Sequence, residues 1–375
     1  MSAASSSVSL AELEDDPHPF YDRARSDGDL VWVDALGGWL TLSHAAATDI
    51  LRNDDLFTVD DPRFSTARVI GSSMLSTDGA IHRTHRSPFA ELFTRSQVAD
   101  NLGEWANQLA ASRVADLRAR ATSELRTELF GPFATEVIVR ALGLSAPAST
   151  VLSLYRTIAA EVGALRAEDE VSNQARIAFE ELRAIILASA TAPHSLDGPG
   201  KVLDADALVS NAAVVLFGAI ETTEGAVANA VHHLAMAGLD AIPEGDELSS
   251  FIEESFRLEP AAAVVHRYCT RPTVIAGTPI DVGDFVIVSL SAANRDPAVF
   301  DDPHHFDPRR PDNRKHLTFA TGPHVCFGAH LARLEVTSML DALRPDVPVA
   351  SLTSTSPKGL VFRKPAEVNV SWTDG

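Results

Sequence analysis

The segment that most restricts the fold runs from Leu208 to Met236 and is apolar almost throughout. Asp204 or Asp206, just before it, can cap the start of a helix. At a rise of 1.5 Å per residue, about 30 residues give roughly 45 Å of helix, enough to cross a whole domain. Because Glu221 and Glu224 are its only charged residues, the pattern predicts a helix buried inside the protein.

The rest of the chain predicts a mainly α-helical fold with a small β portion. Helical patterns cover about 82–142, 151–190 and 248–258, whereas 191–200 is rich in Pro and Gly and predicts a loop. Strand patterns lie at 31–42 (a hairpin), 274–280, 285–290 and beyond about 350. We expect residues 1–10 to be mobile. No repeat or linker divides 1–375, which predicts one domain.

Composition excludes several classes of protein. The formal net charge of −20 argues against nucleic-acid binding, which needs a basic surface. Two cysteines exclude a disulfide scaffold or a multi-cysteine metal site. The N-terminus has no signal-peptide pattern. The longest apolar run, Ala212 to Ile220, is far shorter than the ~20 residues of a membrane span. We therefore expect a soluble, cytoplasmic protein.

One of the two cysteines, Cys326, lies in a glycine-rich loop. Gly322 precedes it by four residues, Gly328 follows by two, and a helical pattern begins soon after. Glycines let the backbone turn tightly and direct N–H groups at the sulfur. The positive end of the following helix is expected to lower the pKa of the thiol. The loop thus predicts a thiolate ligand for iron; the alternative is a buried structural cysteine.

The long apolar segment contains a polar group at its centre, Glu221 followed by Thr222 and Thr223. A carboxylate in a buried helix is unfavourable unless it has a partner or a task. A threonine there can donate to the carbonyl four residues earlier and locally open the helix. The pattern indicates a polar notch suited to holding dioxygen and relaying protons. The alternative is a structural kink whose polar groups are satisfied internally.

A short basic run precedes the cysteine loop in this otherwise acidic chain. Its members are Arg309, Arg310, Arg314 and Lys315. One interpretation is a solvated charged loop. The other is a docking patch for an acidic electron-transfer protein, attracted by charge.

The stretch from Phe319 to Arg333 resembles the haem-binding fingerprint of the cytochrome P450 family, F-x-x-G-x-H/R-x-C-x-G continuing into L-A-R. Ala320 stands where the family usually has glycine. The resemblance extends in order over about 75–345 and is weakest over 55–75 and 151–205, which in the family frame the substrate pocket. It implies the P450 fold, a triangular helical prism whose long central helix crosses over haem.

The resemblance also implies haem b as the cofactor, with Cys326 as the metal ligand and dioxygen as a co-substrate. The propionates of the haem would be held by His82, Arg86, Arg267 and His324. For any one of these residues taken alone, the alternative is an ordinary surface residue. Other cofactor contacts implied by family position are Gly218, Ala219, Thr222, Val265, Thr318, Phe319, Pro323, Gly328 and Ala329.

Further roles follow from the same resemblance. Thr222 and Glu221 match the family's catalytic alcohol–acid pair, which steadies dioxygen and delivers protons. Glu254 and Arg257 match its structural E-x-x-R pair, and His305 takes the position of the family's third partner, usually an arginine. Candidate substrate contacts are Val215, Ala219, Val264 and Val265.

The resemblance implies a haem-thiolate monooxygenase, a monomer away from membranes and nucleic acid. Electrons would come from a separate ferredoxin and reductase, and the substrate would be a small organic molecule, such as a secondary metabolite. Two alternatives remain open. One is peroxide-driven oxidation or oxidative coupling, and the other is a non-catalytic haem sensor.

Overall fold

The computed structural model describes residues 8–165, 169–190, 196–345 and 347–372. The first helices are α1 (Leu10–Asp15), α2 (His18–Ala24), α3 (His44–Arg52), α4 (Ser65–Ile70), α5 (Gly79–Ala90), α6 (Arg95–Val98), α7 (Glu104–Arg118) and α8 (Gly131–Leu142). They are followed by α9 (Ala148–Ala164), α10 (Asn173–Ala190), α11 (Asp197–Val202), α12 (Ala205–Met236), α13 (Gly245–Leu258), α14 (Leu290–Ala293) and α15 (Ala329–Leu343).

The strands are short by comparison, which confirms the mainly α prediction. They are β1 (Leu30–Val33), β2 (Gly38–Thr41), β3 (Phe57–Thr58), β4 (Thr122–Glu124), β5 (Val264–Cys269) and β6 (Thr273–Ile275). The remaining ones are β7 (Thr278–Ile280), β8 (Phe285–Ser289), β9 (Leu352–Ser354), β10 (Pro357–Lys358), β11 (Lys364–Pro365) and β12 (Val368–Ser371).

Helix α12 is the predicted long buried helix. It spans 32 residues, and Asp204 caps it by accepting from the Ala207 amide at 2.8 Å. Asp206 is exposed and instead pairs with Arg183. The helix packs against α8, α10, α13 and α15. Of the described residues, only this helix has the length and composition of a membrane span, and its burial by neighbouring helices identifies it as a core helix.

The strands of the described residues form two larger sheets and two two-stranded hairpins. The larger has the strand order β1-β2-β8-β5-β3, with β2 and β8 parallel and the other pairs antiparallel. The predicted hairpin is present in it as β1 and β2, with Val31 opposite Leu40. Strands β4, β12 and β9 form a second sheet. Strands β10 and β11 form a hairpin that packs against α12.

Two predictions about local structure were wrong. The segment 274–280 is a hairpin, β6 and β7, because Ala276 and Gly277 take positive φ angles of 49° and 81°. A helix, α11, begins at Asp197 within the predicted loop, of which 191–195 lie outside the described residues. Val8 is buried and Ser9 forms a capping box with Glu12, while residues 1–7 lie outside the described residues, so the mobility of residues 1–10 stays a prediction.

Candidate functional site

The loop that carries Cys326 is held by its own backbone. The Cys326 amide donates to the Phe319 carbonyl at 2.8 Å. Gly322 has a φ of 77°, and a Cβ there would lie 2.3 Å from the Leu51 carbonyl oxygen, so this position needs glycine. Ala320 has a φ of 55°, a conformation that costs an alanine about 1–2 kcal/mol. The loop therefore keeps the turn of the family fingerprint despite the alanine.

The electrostatics of Cys326 differ from the prediction. The side chain is accessible to solvent on one side, yet the surrounding protein removes much of its hydration and raises the pKa of the thiol. The amides of Gly328 and Ala329 and the charges of Arg86 and Arg333 act in the opposite direction. The predicted lowering of the thiol pKa is thus wrong for the protein alone, because desolvation outweighs the helix terminus.

Two side chains of α5 contact the cysteine loop. The His82 ring lies 4.1 Å from the ring of His324, centroid to centroid. Arg86 donates to the Val325 carbonyl at 2.5 Å and lies over the Phe327 ring at 5.1 Å. The structure therefore brings three of the four predicted propionate partners together beside Cys326.

Asp78, which we did not predict, organises this group. It accepts from His324 at 2.7 Å, from the Thr58 hydroxyl at 2.6 Å and from the Val59 amide at 2.9 Å. Burial would raise the pKa of Asp78, but these hydrogen bonds outweigh it and lower the pKa to about 2. His324 thus has a protein partner of its own. The only sequence signal was the position of Asp78 just before α5, where acidic residues are common.

Two buried donors near the loop form no ion pair with any of the described residues. Arg267 is 5% exposed, and the only hydrogen bond of its side chain within the described ranges goes to the His266 carbonyl. Burial lowers the pKa of Arg267 to about 10, against the longer-range attraction of Asp78 and Asp54. Among the described residues, the buried His82 Nε2 has no hydrogen-bond partner, and burial lowers the pKa of His82 to about 4. Buried donors of this kind normally have partners, so the site fits an anionic group such as haem with its two propionates.

The centre of α12 is open on one side. Gly218 is exposed although most of its helix neighbours are buried, and a Cβ added there would meet nothing within 4 Å. Ala219, Glu221 and Thr222 are partly exposed beside it. The Thr222 hydroxyl donates to the Gly218 carbonyl, as predicted, while α12 continues to Met236 without interruption. A polar notch is therefore present without a break in the helix.

The adjacent threonine faces elsewhere. Thr223 is 2% exposed, and its hydroxyl lies 3.4 Å from Glu335 Oε2 on α15. Burial raises the pKa of Glu335 well above its usual value, and its Oε1 has no hydrogen-bond partner among the described residues. Only Thr222 of the two threonines thus lies at the notch.

Glu221 is paired with a lysine that the sequence did not indicate. Lys364 Nζ lies 2.6 Å from Glu221 Oε1 and 2.7 Å from Glu224 Oε1. Arg126 also donates to Glu224, at 2.8 Å. Lys364 and Arg126 are far from α12 in the sequence, so no local pattern could have identified them.

The predicted Glu254–Arg257 ion pair is present. Arg257 donates to both Glu254 carboxylate oxygens at 2.7 Å, and both side chains are fully buried. Arg257 also donates to the carbonyls of Asn294 and Pro303 at 2.8 Å. The pair therefore joins α13 to the segment that leads to the cysteine loop.

The third member of this cluster is Arg310, and the prediction for His305 was wrong. Arg310 Nε lies 3.4 Å from Glu254 Oε1, and the residue is 7% exposed. His305 is exposed and contributes only its backbone carbonyl, which accepts from Arg257 and Arg310 at 3.2 Å. Arg310 is consequently unavailable to the predicted docking patch, because its charge is neutralised in the interior.

Glu253 forms a second link to the loop that the sequence did not assign. It accepts from Arg333 at 2.5 and 3.0 Å and lies 3.2 Å from His316 Nε2. Burial would raise the pKa of Glu253, but the hydrogen bonds from these partners lower it to about 2. Arg333 lies over the Phe319 ring at 4.6 Å, and the Phe319 carbonyl holds the Cys326 amide.

Strand β5 separates two of the predicted substrate contacts. Val264 is 3% exposed and packs into the core formed with the N-terminal helices, whereas Val265 is partly exposed on the other face. Successive residues of a strand point to opposite faces, so the prediction that both line one pocket was wrong for Val264. Val215 is buried in the main core, and Ala219 is partly exposed. Thr318 is engaged by the protein, donating to the Phe256 carbonyl at 2.6 Å.

Sequence comparisons place this arrangement among known proteins. The family model described as Cytochrome P450 matches residues 246–343. A putative cytochrome P450 140 of Mycobacterium tuberculosis is 30% identical over 85% of this chain and 80% of its own length. The cytochrome P450 monooxygenase PikC of Streptomyces venezuelae is 29% identical over 92% of this chain and 87% of its own.

Solved structures agree in fold. P450BioI, in complex with an acyl carrier protein ligated to hexadec-9Z-enoic acid, superposes with a TM-score of 0.84 at 23% identity, covering 97% of this chain and 99% of that one. CYP109E1 from Bacillus megaterium, in complex with testosterone, also gives 0.84 at 21% identity, covering 97% and 100%. On the strength of the sequence relatives and this shared fold, the chain belongs to the cytochrome P450 family, whose members are haem-dependent oxidoreductases.

Proposed function

We propose that this protein is a monooxygenase that binds haem b through Cys326 and oxidises a small organic molecule of the kind made in secondary metabolism. The observation that carries the proposal is the group of buried donors beside Cys326 that lack an anion, Arg267 and His82. We further propose that residues 1–375 act as one domain, as a monomer in the cytoplasm. Dioxygen is the co-substrate.

When bound, haem supplies the iron that activates dioxygen and the porphyrin that stores oxidising equivalents. Cys326 is its ligand, and the amides of Gly328 and Ala329 direct partial positive charge toward the sulfur. Arg86, Arg267 and His82 would hold the propionates. The remaining residues at family positions would contact the ring: Gly218, Ala219, Val265, Thr318, Phe319, Pro323 and His324.

Thr222 and Glu221 have separate roles at the notch of α12. Thr222 presents its hydroxyl oxygen beside the open space at Gly218, where it accepts a hydrogen bond from a water molecule. Glu221 is partly exposed and passes protons from solvent toward that hydroxyl. An apolar substrate would lie against the partly exposed Phe217, whose ring contacts Tyr155 and Phe362 at about 6 Å.

Replacing Thr222 with alanine tests the catalytic part of the proposal. With a substrate found by screening for a low-spin to high-spin shift in the optical spectrum, we expect product formed per electron pair to fall by roughly tenfold or more. The amount of hydrogen peroxide formed per electron pair should rise correspondingly, because protons would then reach the oxygen without passing through the Thr222 hydroxyl. The matched control is Thr223→Ala, which changes the neighbouring buried threonine and should keep the coupling. Equal coupling in both variants would contradict the assignment of Thr222.

We also propose that the electron donor is an acidic ferredoxin, and that it docks at a cleft that includes Arg314 of the predicted run. A cleft of about 530 Å³ is lined by Arg95, Arg314, His330 and Arg333, with Glu253 as the acidic member. Arg95 and Arg314 are exposed, as are Arg309 and Lys315 of the predicted patch. Arg333 reaches from this cleft to the Phe319 ring. The cleft is basic in a chain of net charge −20, which favours an acidic partner here.

Neutralising the cleft should slow electron transfer. For Arg95→Gln combined with Arg314→Gln, we expect reduction by an acidic ferredoxin at low salt to slow by roughly tenfold, with a shallower dependence on ionic strength. Stopped-flow spectroscopy measures both. Arg176→Gln, which removes an exposed arginine from α10, is the control and should change neither. Wild-type kinetics in the double variant would refute docking at this cleft.

A further inference from the structure

The C-terminal hairpin places a lysine between two carboxylates of α12. Glu221 and Glu224 are three residues apart on the helix, so they share a face and repel each other. Lys364 at the start of β11 lies within 2.7 Å of one oxygen of each. Its side chain is 15% exposed, so little water competes for the ammonium group. Lys364 therefore bridges the proposed proton donor and a second acid.

The position of Lys364 is determined by its neighbours in the hairpin. Arg363 is 3% exposed and donates to Glu259 at 2.8 Å. It also donates to the carbonyls of Pro357 and Gly359, at 2.8 and 2.9 Å. On the helix side, a Cβ at Gly225 would lie 3.0 Å from Ala261 Cβ and 3.6 Å from Lys364. Glycine at 225 thus leaves room for Ala261, and Lys364 lies in ordinary van der Waals contact with the same position of α12. The buried residues around Lys364 therefore fix the position from which its flexible side chain extends.

The two carboxylates differ in freedom. Glu224 is 5% exposed and is also held by Arg126, and a Cβ at Gly131 would lie 2.5 Å from Glu224 Oε2, which shows how tightly that carboxylate is enclosed. Glu221 is 26% exposed and has Lys364 as its cationic partner. Loss of the lysine would leave Glu224 in place, held by Arg126. The negative charge of Glu224 would then push the Glu221 carboxylate outward, away from the notch.

We propose that Lys364 is a positioning residue for Glu221: it offsets the repulsion from Glu224 and keeps the Glu221 carboxylate at the rim of the notch beside Thr222. The inference rests on the proposed function, in which Glu221 delivers protons. Lys364 does not contact the reacting atoms, and its effect passes through Glu221.

The test compares Lys364→Met, Lys364→Arg and Glu221→Gln in the haem-loaded enzyme. Lys364→Met should lower product per electron pair several-fold, as Glu221→Gln does, and Lys364→Arg should restore most of it. The control is Lys358→Met in the same hairpin, where the lysine is exposed and pairs with Asp15. It should keep the coupling of the wild type.

Urea unfolding supplies a readout independent of activity. In a double-mutant cycle, Lys364→Met should lower the urea midpoint more in the wild type than in the Glu221→Gln variant, where only the contact of Lys364 with Glu224 remains to be lost. Additive effects would overturn the inference. So would normal coupling in a folded Lys364→Met enzyme when Glu221→Gln is uncoupled. If Glu221→Gln itself keeps normal coupling, the proton-delivery assignment in the proposed function fails instead.

Discussion

The Cys326→His variant is expected to lose both the proposed monooxygenase activity and the far-shifted Soret band that we expect from the reduced, carbon monoxide-treated wild type. A thiolate donates more electron density to iron than an imidazole does, and both the band and cleavage of the O–O bond depend on that donation. The effect should be complete, because the loop offers no second sulfur: Cys269 lies in β5 and donates to the Arg271 carbonyl at 3.0 Å.

Cys269→Ala is the matched control for this experiment. It removes the other of the two cysteines and should keep the Soret band. Because Cys269 is buried, the variant should lose a little stability. Circular dichroism establishes that both variants are folded. A thiolate-type band in Cys326→His, or its loss in Cys269→Ala, would contradict the ligand assignment.

The second large effect is expected from Arg257→Met. Removing one partner of a buried ion pair costs about 3–5 kcal/mol, and Glu254 would keep only one cationic partner among the described residues, Arg310, at the longer distance of 3.4 Å. That cost is a large share of the roughly 5–15 kcal/mol by which native proteins are stable. The urea midpoint should fall accordingly, and haem should be retained poorly, because the pair joins α13 to the segment before the cysteine loop.

Two further variants separate the members of this cluster. Arg310→Met should also destabilise the protein, since its guanidinium neutralises Glu254 and donates to the carbonyls of Asp301 and Asp302. His305→Ala should change the urea midpoint little, because only its backbone carbonyl is used. Lys201→Met, which breaks an exposed pair with Asp197, controls for charge removal and should cost under about 1 kcal/mol. A larger loss for His305→Ala than for Arg310→Met would refute the assignment of Arg310.

Features that depend on neighbours in the chain could be predicted from the sequence. The length and burial of α12 follow from an apolar run that lacks proline, and a cap at Asp204 or Asp206 follows from their positions, of which the structure uses Asp204. The backbone of the cysteine loop follows from glycine spacing, and the Glu254–Arg257 pair from a separation of three residues on one helix. In each case the interaction spans a few residues, so the pattern that encodes it is visible in a short window.

Contacts between distant segments were decided by the tertiary structure. The family resemblance suggested His305 as the third member of the buried cluster, but the path of the backbone puts its side chain in water and Arg310 in the interior. In the same way, packing of the hairpin against α12 paired Lys364 with Glu221, and desolvation of Cys326 outweighed the helix terminus. Charge pairing and desolvation depend on distances in space, and these exist only once the elements have packed.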